Sequence, residues 1–393
     1  MALPRGFAGG AVAAGLKKSG KLDLGLIYSE GPCVASAVFT KNLFIAPNLT
    51  ISKRHLARGA IHGIVVNAGQ SNACTGKAGE QVAKEMAEKA GAILGKAPED
   101  FLIGSTGVIG SGPDPDKVAA GLGKIVTQGL SAEGLRDVGR AFMTTDLVKK
   151  SAEASLKFGG KTVRIFGIAK GSGMINPSMA TMLSYIMTDA KISSKDLRKA
   201  FKLAVEASFN CLTVDGDTST SDMVAILANG AAGNDTPDSE DYERFIKKLT
   251  VLCQDLARQI ARDGEGATRL VTVRVKNAAA PRDARDAAKA VASSNLVKTA
   301  IFGRDPNWGR IACAVGYSGA SFDPNRVTIK LGKSPIFSGG RPAKQDQAAL
   351  RKYLRDNEEI LIDIDLDAGT DQATVWTCDF SYDYVRINAE YTT

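Results

Sequence analysis

Thr181 closes the stretch Lys170-Gly-Ser-Gly-Met-Ile-Asn-Pro-Ser-Met-Ala-Thr181, in which a glycine-rich turn, a proline and a small residue lead into an apolar segment. A threonine hydroxyl is a poor nucleophile until a base takes its proton. The chain of 393 residues has only two histidines, His55 and His62, in a polar stretch with no serine or cysteine in a nucleophile setting nearby. They read as ordinary surface or capping residues, which argues against Ser-His-Asp or Cys-His chemistry. The simplest base left is an α-amine on Thr181 itself, and that amine exists only if the chain is cut between Ala180 and Thr181. With a pKa of about 8, roughly a quarter of it is neutral at about pH 7.5, enough for general-base work. Ala180 is a fitting partner, because its small side chain leaves the scissile carbonyl open to the hydroxyl. The same residues fit a plain strand threonine after a loop, and their pattern alone does not choose between the two.

Other chemistry finds less support. Six cysteines are scattered with no C-x-x-C pair, so neither a zinc site nor a disulfide framework is expected; that usage suits a reducing compartment, the cytoplasm. The run Asp215-Gly-Asp-Thr-Ser-Thr-Ser-Asp222 looks like half of a calcium loop but lacks the later bidentate glutamate, so no metal is expected there. It reads instead as a structural loop near the active site. Net charge is +8 and the pI about 9.1, without any block of like charges, which argues against a nucleic-acid tail. No apolar run approaches the ~20 residues that span a bilayer, and the N-terminal residues do not read as a secretion signal.

The elements that must position these residues alternate along the chain. Strands are expected at 24–28, 34–39, 63–67, 101–103, 162–169 and 181–188, and again at 269–275, 327–331, 360–366, 373–376 and from 384 onward. Val82, Met86, Ile93 and Leu94 mark one helix, and Val118, Leu122, Ile125 and Val126 another, with Asp114 as its cap and Pro115 at its first position. Leu197, Phe201, Val205 and Phe209 mark a third, and Phe245, Leu249, Leu252, Leu256 and Ile260 a fourth. The fold class is mixed α/β with few parallel βαβ runs. A division is expected at 276–283, giving a main catalytic core of 1–278 and a smaller C-terminal α/β domain of 279–393.

The sequence closely resembles the ornithine acetyltransferase (ArgJ) family almost from end to end. The resemblance is carried by the Thr181 stretch and by Ser36-Ala-Val-Phe-Thr40, Val66-Asn-Ala-Gly-Gln-Ser-Asn-Ala-Cys-Thr-Gly76, Ser105-Thr-Gly-Val-Ile-Gly110 and Met143-Thr-Thr-Asp146. It continues through Thr213-Val-Asp-Gly-Asp-Thr-Ser-Thr220, Asp263-Gly-Glu-Gly-Ala-Thr268, Gly303-Arg-Asp-Pro-Asn-Trp-Gly-Arg310 and Ile387-Asn-Ala-Glu-Tyr-Thr-Thr393. One departure is mild: Gln70-Ser71 stands where many relatives have Asn-Ala.

That resemblance implies a self-cleaving, N-terminal-nucleophile-like fold with a layered αββα core, cut into fragments 1–180 and 181–393, two copies of each assembling together. It implies transfer of acetyl from N-acetylornithine to glutamate through an acetyl-Thr181 intermediate. Thr106 and Gly107 match the oxyanion pair; Thr144 (or its neighbour Thr145), Lys170, Glu265, Asn388 and Thr393 match substrate contacts. Lys170 suits a substrate carboxylate and Glu265 the δ-ammonium of ornithine. No bound cofactor is implied. Some members accept acetyl-CoA as co-substrate, and nothing in the sequence separates the two cases. The rival reading is a self-processing aminopeptidase or amidase of the same fold, which differs in whether water or an amine attacks the acyl-enzyme.

Overall fold

The computed structural model describes residues 2–176 and 182–390. Its largest feature is an eight-stranded sheet that folds over on itself. The strand Leu24–Phe39 makes the fold possible, because its two ends belong to different halves. Residues 24–28 pair with Ile61–Asn67 on one side and with Phe7–Val12 on the other, and Phe101–Ser105 lies parallel to Ile61–Asn67. Residues 34–39 pair instead with Met223–Ala228, which continues to Leu183–Thr188, Lys161–Lys170 and Lys150–Phe158. The expected strands at 24–28 and 34–39 are therefore one strand. The polar segment around Ser29–Gly31 divides its apolar pattern at the bend, where the register shifts.

Strand residues alternate between two buried faces, which is why these segments read as near-continuous apolar runs. Ile27, Ile64, Val66 and Leu102 of one half meet Leu183, Tyr185, Met187, Ala225 and Leu227 of the other in a single core between the halves. Helix Gly134–Ala141 wedges into one end of this space, and Phe142 just after it packs edge-on to Tyr185 at 5.4 Å. Leu24, Leu26, Val65, Phe101 and Ile103 face outward onto helices Gly76–Leu94 and Pro115–Gln128. On the far side Ile165, Ile186, Val224 and Ile226 meet helices Ser194–Glu206 and Ser239–Arg262. The layers are helix, sheet, sheet, helix, as expected.

Helix Ser239–Arg262 also touches a six-stranded second sheet ordered 341–342, 334–338, 328–331, 359–365, 270–278 and 371–378. Strand Leu270–Ala278, which runs into the division expected at 276–283, belongs to this second sheet. Asp114 accepts from Asp116 N as the cap of the helix that Pro115 opens.

Four other sequence readings need correction. The segment from 384 onward is not a strand: Tyr382–Glu390 is a helix, and residues 391–393 lie outside the described residues. His55 and His62 are not surface residues. Both are buried, His55 in helix Pro47–Arg58 donating Nδ1–H to Phe101 O at 2.7 Å, and His62 in a strand donating to Ser29 O at 3.2 Å. Parallel pairing is commoner than expected, at 61–67 with 101–105, 183–188 with 223–228 and 270–278 with 359–365. Ile93 is 36% exposed and stands off the buried stripe of its helix.

Candidate active site

One cavity gathers residues that the sequence scatters from 71 to 388. It opens where strands of both halves end. Lys170 ends the strand Lys161–Lys170 and is paired in register with Leu183; Met182, which follows Thr181 in the chain, lines the cavity and accepts a hydrogen bond from Met223 N at 3.1 Å. Thr106 and Gly107 follow the strand Phe101–Ser105 and line the same cavity. Gly107 has φ +127°, and a Cβ there would stand 2.4 Å from the Gly69 carbonyl carbon, so only glycine lets the two backbones approach.

Thr144, Lys170, Glu265 and Asn388 complete the wall. Lys170 Nζ donates to Thr144 Oγ1 at 3.0 Å, whereas Thr145 Oγ1 is paired with Ser172 Oγ at 2.7 Å; both threonines line the cavity. Glu265 N donates to Ser172 O at 2.8 Å, and Asn388 Nδ2 donates to Glu265 Oε2 at 2.8 Å. The helix that carries Asn388 is thereby tied to the loop after helix Ser239–Arg262. Burial pulls the Lys170 ammonium below the usual lysine range, opposed by the charges of Asp146, Asp222 and Glu265. An ammonium that lines a cavity can form a charge-assisted hydrogen bond to an anionic group.

Ala180, Thr181 and Thr393 lie outside the described residues. The segment leading toward them is well held. Asp215 accepts from Met174 N at 2.6 Å and Ile175 N at 2.9 Å, Asn176 Nδ2 donates to Gly216 O at 2.8 Å, and Thr218 Oγ1 donates to Asn176 O at 3.1 Å. The 215–222 loop thus braces the chain just before residue 177, and its end, Ser219 to Asp222, lines the cavity.

The 215–222 loop lies near the site as expected, but sequence reasoning gave its residues no partners there and missed Ser71. Ser71 and Ser221, 150 positions apart, pair their hydroxyls at 3.0 Å, and Thr220 Oγ1 is 3.3 Å from Ser221 Oγ. Behind the wall, the buried Lys150 Nζ lies 2.7 Å from Asp146 Oδ1 and 2.5 Å from Asp263 Oδ2. Asp146 and Asp263 each sit within two positions of a residue singled out as a substrate contact. Acidic residues beside those contacts were the available signal.

A family model described as the ArgJ family matches residues 8–393. The chain belongs to the ArgJ family. The Arginine biosynthesis bifunctional protein ArgJ of Symbiobacterium thermophilum is 48% identical over 394 residues, covering 99% of this chain and 98% of that protein. The protein of the same name from Caldanaerobacter subterraneus is 46% identical, covering 100% and 98%. Among solved structures, the Arginine biosynthesis bifunctional protein argJ of Bacillus halodurans is 45% identical with a TM-score of 0.52, covering 54% of this chain and 100% of that one. Among the described residues no helix is long and apolar enough to cross a membrane.

Proposed function

We propose that this ArgJ-family chain cuts itself between Ala180 and Thr181 and then moves acetyl from N-acetylornithine to glutamate through an ester on Thr181. The observation that carries the reading is the shared cavity. Thr106, Gly107, Thr144, Lys170, Glu265 and Asn388 converge from five separate segments on Met182, the residue next to Thr181 in the chain.

In the first half-reaction the Thr181 hydroxyl attacks the acetyl carbonyl while its freed α-amine takes the hydroxyl proton. The Thr106 hydroxyl and the Gly107 N–H face the developing oxyanion; losing one such donor typically costs ~10²–10³ in rate. The C–N bond breaks, the proton passes to the leaving amine, and ornithine departs. Glutamate then attacks the ester with its amine, the α-amine of Thr181 again handling the proton, and N-acetylglutamate leaves. Lys170 holds a carboxylate, which donor and acceptor share. Glu265, steadied by Asn388, faces the δ-ammonium that only the donor carries.

The names of the relatives call them bifunctional, and we read the second activity, acetyl-CoA-dependent acetylation of glutamate, as this chain's as well. We expect the two fragments to assemble as two copies of each. None of the six cysteines is in a disulfide, which suits the cytoplasm. The smaller domain of the uncut chain, expected at 279–393, takes in strand Leu270–Ala278 as well, because that strand lies inside the second sheet.

Intact-mass measurement tests the cut. Fragments 1–180 and 181–393 are expected, with threonine first in the second, and Thr181→Ala should give one uncut, inactive chain. A fully active, uncut wild-type chain would overturn the mechanism.

A further inference from the structure

We propose that Asp146 is a positioning residue for this reaction, one that holds Thr144 and the Lys170 ammonium in place for a substrate carboxylate. Asp146 is buried and touches neither the acetyl group nor Thr181 in the proposed mechanism. Its carboxylate accepts from Thr144 N at 3.0 Å through Oδ2 and from Gly171 N at 2.7 Å through Oδ1. These are the backbone groups of one cavity residue and of the neighbour of another. The side chains they carry meet in the Lys170–Thr144 hydrogen bond.

The carboxylate is itself fixed from behind. Lys150 Nζ bonds Asp146 and Asp263, and Asp263 also accepts from Leu147 N at 3.1 Å and Val148 N at 3.4 Å. Two positions on, the Glu265 backbone is tied to Ser172. Three segments that carry Thr144, Lys170 and Glu265 are thus joined by one buried network. Displacements of about 1 Å in such a constellation are costly in rate.

Charge works in the same direction. The groups that act on Lys170 are Asp146, Asp222 and Glu265, which favour its ammonium, and Lys150 and Lys17, which disfavour it along with burial. Removing the Asp146 charge should therefore lower the pH at which Lys170 loses its proton.

The inference rests on the proposed acetyl transfer, and its test has a readout that does not need turnover. Trace labelling with acetic anhydride across pH, read by peptide mass spectrometry, follows the free-amine fraction of Lys170 in the processed enzyme. In Asp146→Asn, where Lys150 keeps Asp263, the titration is expected about one pH unit lower. KM for both amino-acid substrates should rise roughly tenfold with little change in kcat. Asp263→Asn, which leaves the bonds of Asp146 to Thr144 and Gly171, should lower the melting temperature without moving the Lys170 titration. Asp146→Glu keeps the charge but shifts the acceptor atoms, so KM should rise while the titration stays. An unmoved titration with unchanged KM in Asp146→Asn would overturn the inference, as would an unchanged KM in Asp146→Glu. A wild-type chain inactive in acetyl transfer, with a Lys170 titration that still shifts in Asp146→Asn, would overturn the proposed function alone.

Discussion

A Cβ on Gly173 would stand 2.4 Å from Glu265 Oε2, so the Glu265 carboxylate fills the space any other residue at 173 would need. Gly173→Ala must therefore move Glu265 or the turn that faces it. The clash is with the far end of a flexible side chain, so it is relieved by moving the carboxylate, and the effect falls on the cavity wall rather than on stability. Single-turnover kinetics should show acetyl-enzyme formation from N-acetylornithine slowed roughly tenfold or more in Gly173→Ala. An unaffected rate would mean that the observed position of Glu265 is not the working one.

The two charged residues of the wall should separate the half-reactions. Lys170→Ala removes a contact to the carboxylate that donor and acceptor share, so both acetylation of Thr181 and its discharge by glutamate should slow. Glu265→Gln should damage the N-acetylornithine step more than the glutamate step. A lost charged hydrogen bond is worth ~1.5–3 kcal/mol, so losses of roughly tenfold to a hundredfold are expected. Equal losses in both steps for Glu265→Gln would assign that carboxylate a different role.

Asp146 also makes folding sensitive to acid. Burial pushes its carboxyl up, but the Lys150 and Lys170 ammoniums and the hydrogen bonds it accepts outweigh this and hold it down at about 2. An unfolded aspartate titrates at about 3.9. The folded value is the lower one, so the stabilisation is complete above the unfolded value and is lost as pH falls through 4 toward 2. Its size at pH 7 is about 2 kcal/mol. Urea unfolding should therefore show Asp146→Asn less stable than wild type by about that much at pH 7, with the gap closing near pH 2. A gap that stays constant across this range would contradict the assignment.

Tyr185 offers a test of the inter-sheet core. Among the described residues its hydroxyl is buried with no hydrogen-bond partner, and burial pushes its pKa above the usual tyrosine range. A buried polar group without a partner costs about 1–3 kcal/mol, against which the void left by one oxygen is small. Tyr185→Phe should leave thermal stability unchanged or raise it. A clear drop in melting temperature would show that the hydroxyl has a partner in solution.

The fold was legible where apolar runs are buried on both faces, as at Ile61–Asn67 and Met223–Ala228. It was illegible where a polar interior breaks a strand, as at Ser29–Gly31, and where a short exposed helix mimics strand alternation. In Tyr382–Glu390 only Tyr384 and Ile387 are even partly buried, one turn apart, so no helical stripe stands out. The wall of the cavity was read through family motifs rather than spacing. Its supports were not, because Lys150 and Asp263 are 113 positions apart and Ser71 and Ser221 150, and only the fold brings them together.

Both half-reactions pass through the acetyl ester on Thr181. Rapid acid quenching of the enzyme with N-acetylornithine, followed by digestion and mass spectrometry, should yield a peptide that begins at Thr181. It should carry one acetyl group on the threonine oxygen, and the group should vanish when glutamate is added. Full transferase activity with Thr181 unacetylated, or still joined to Ala180, would contradict it.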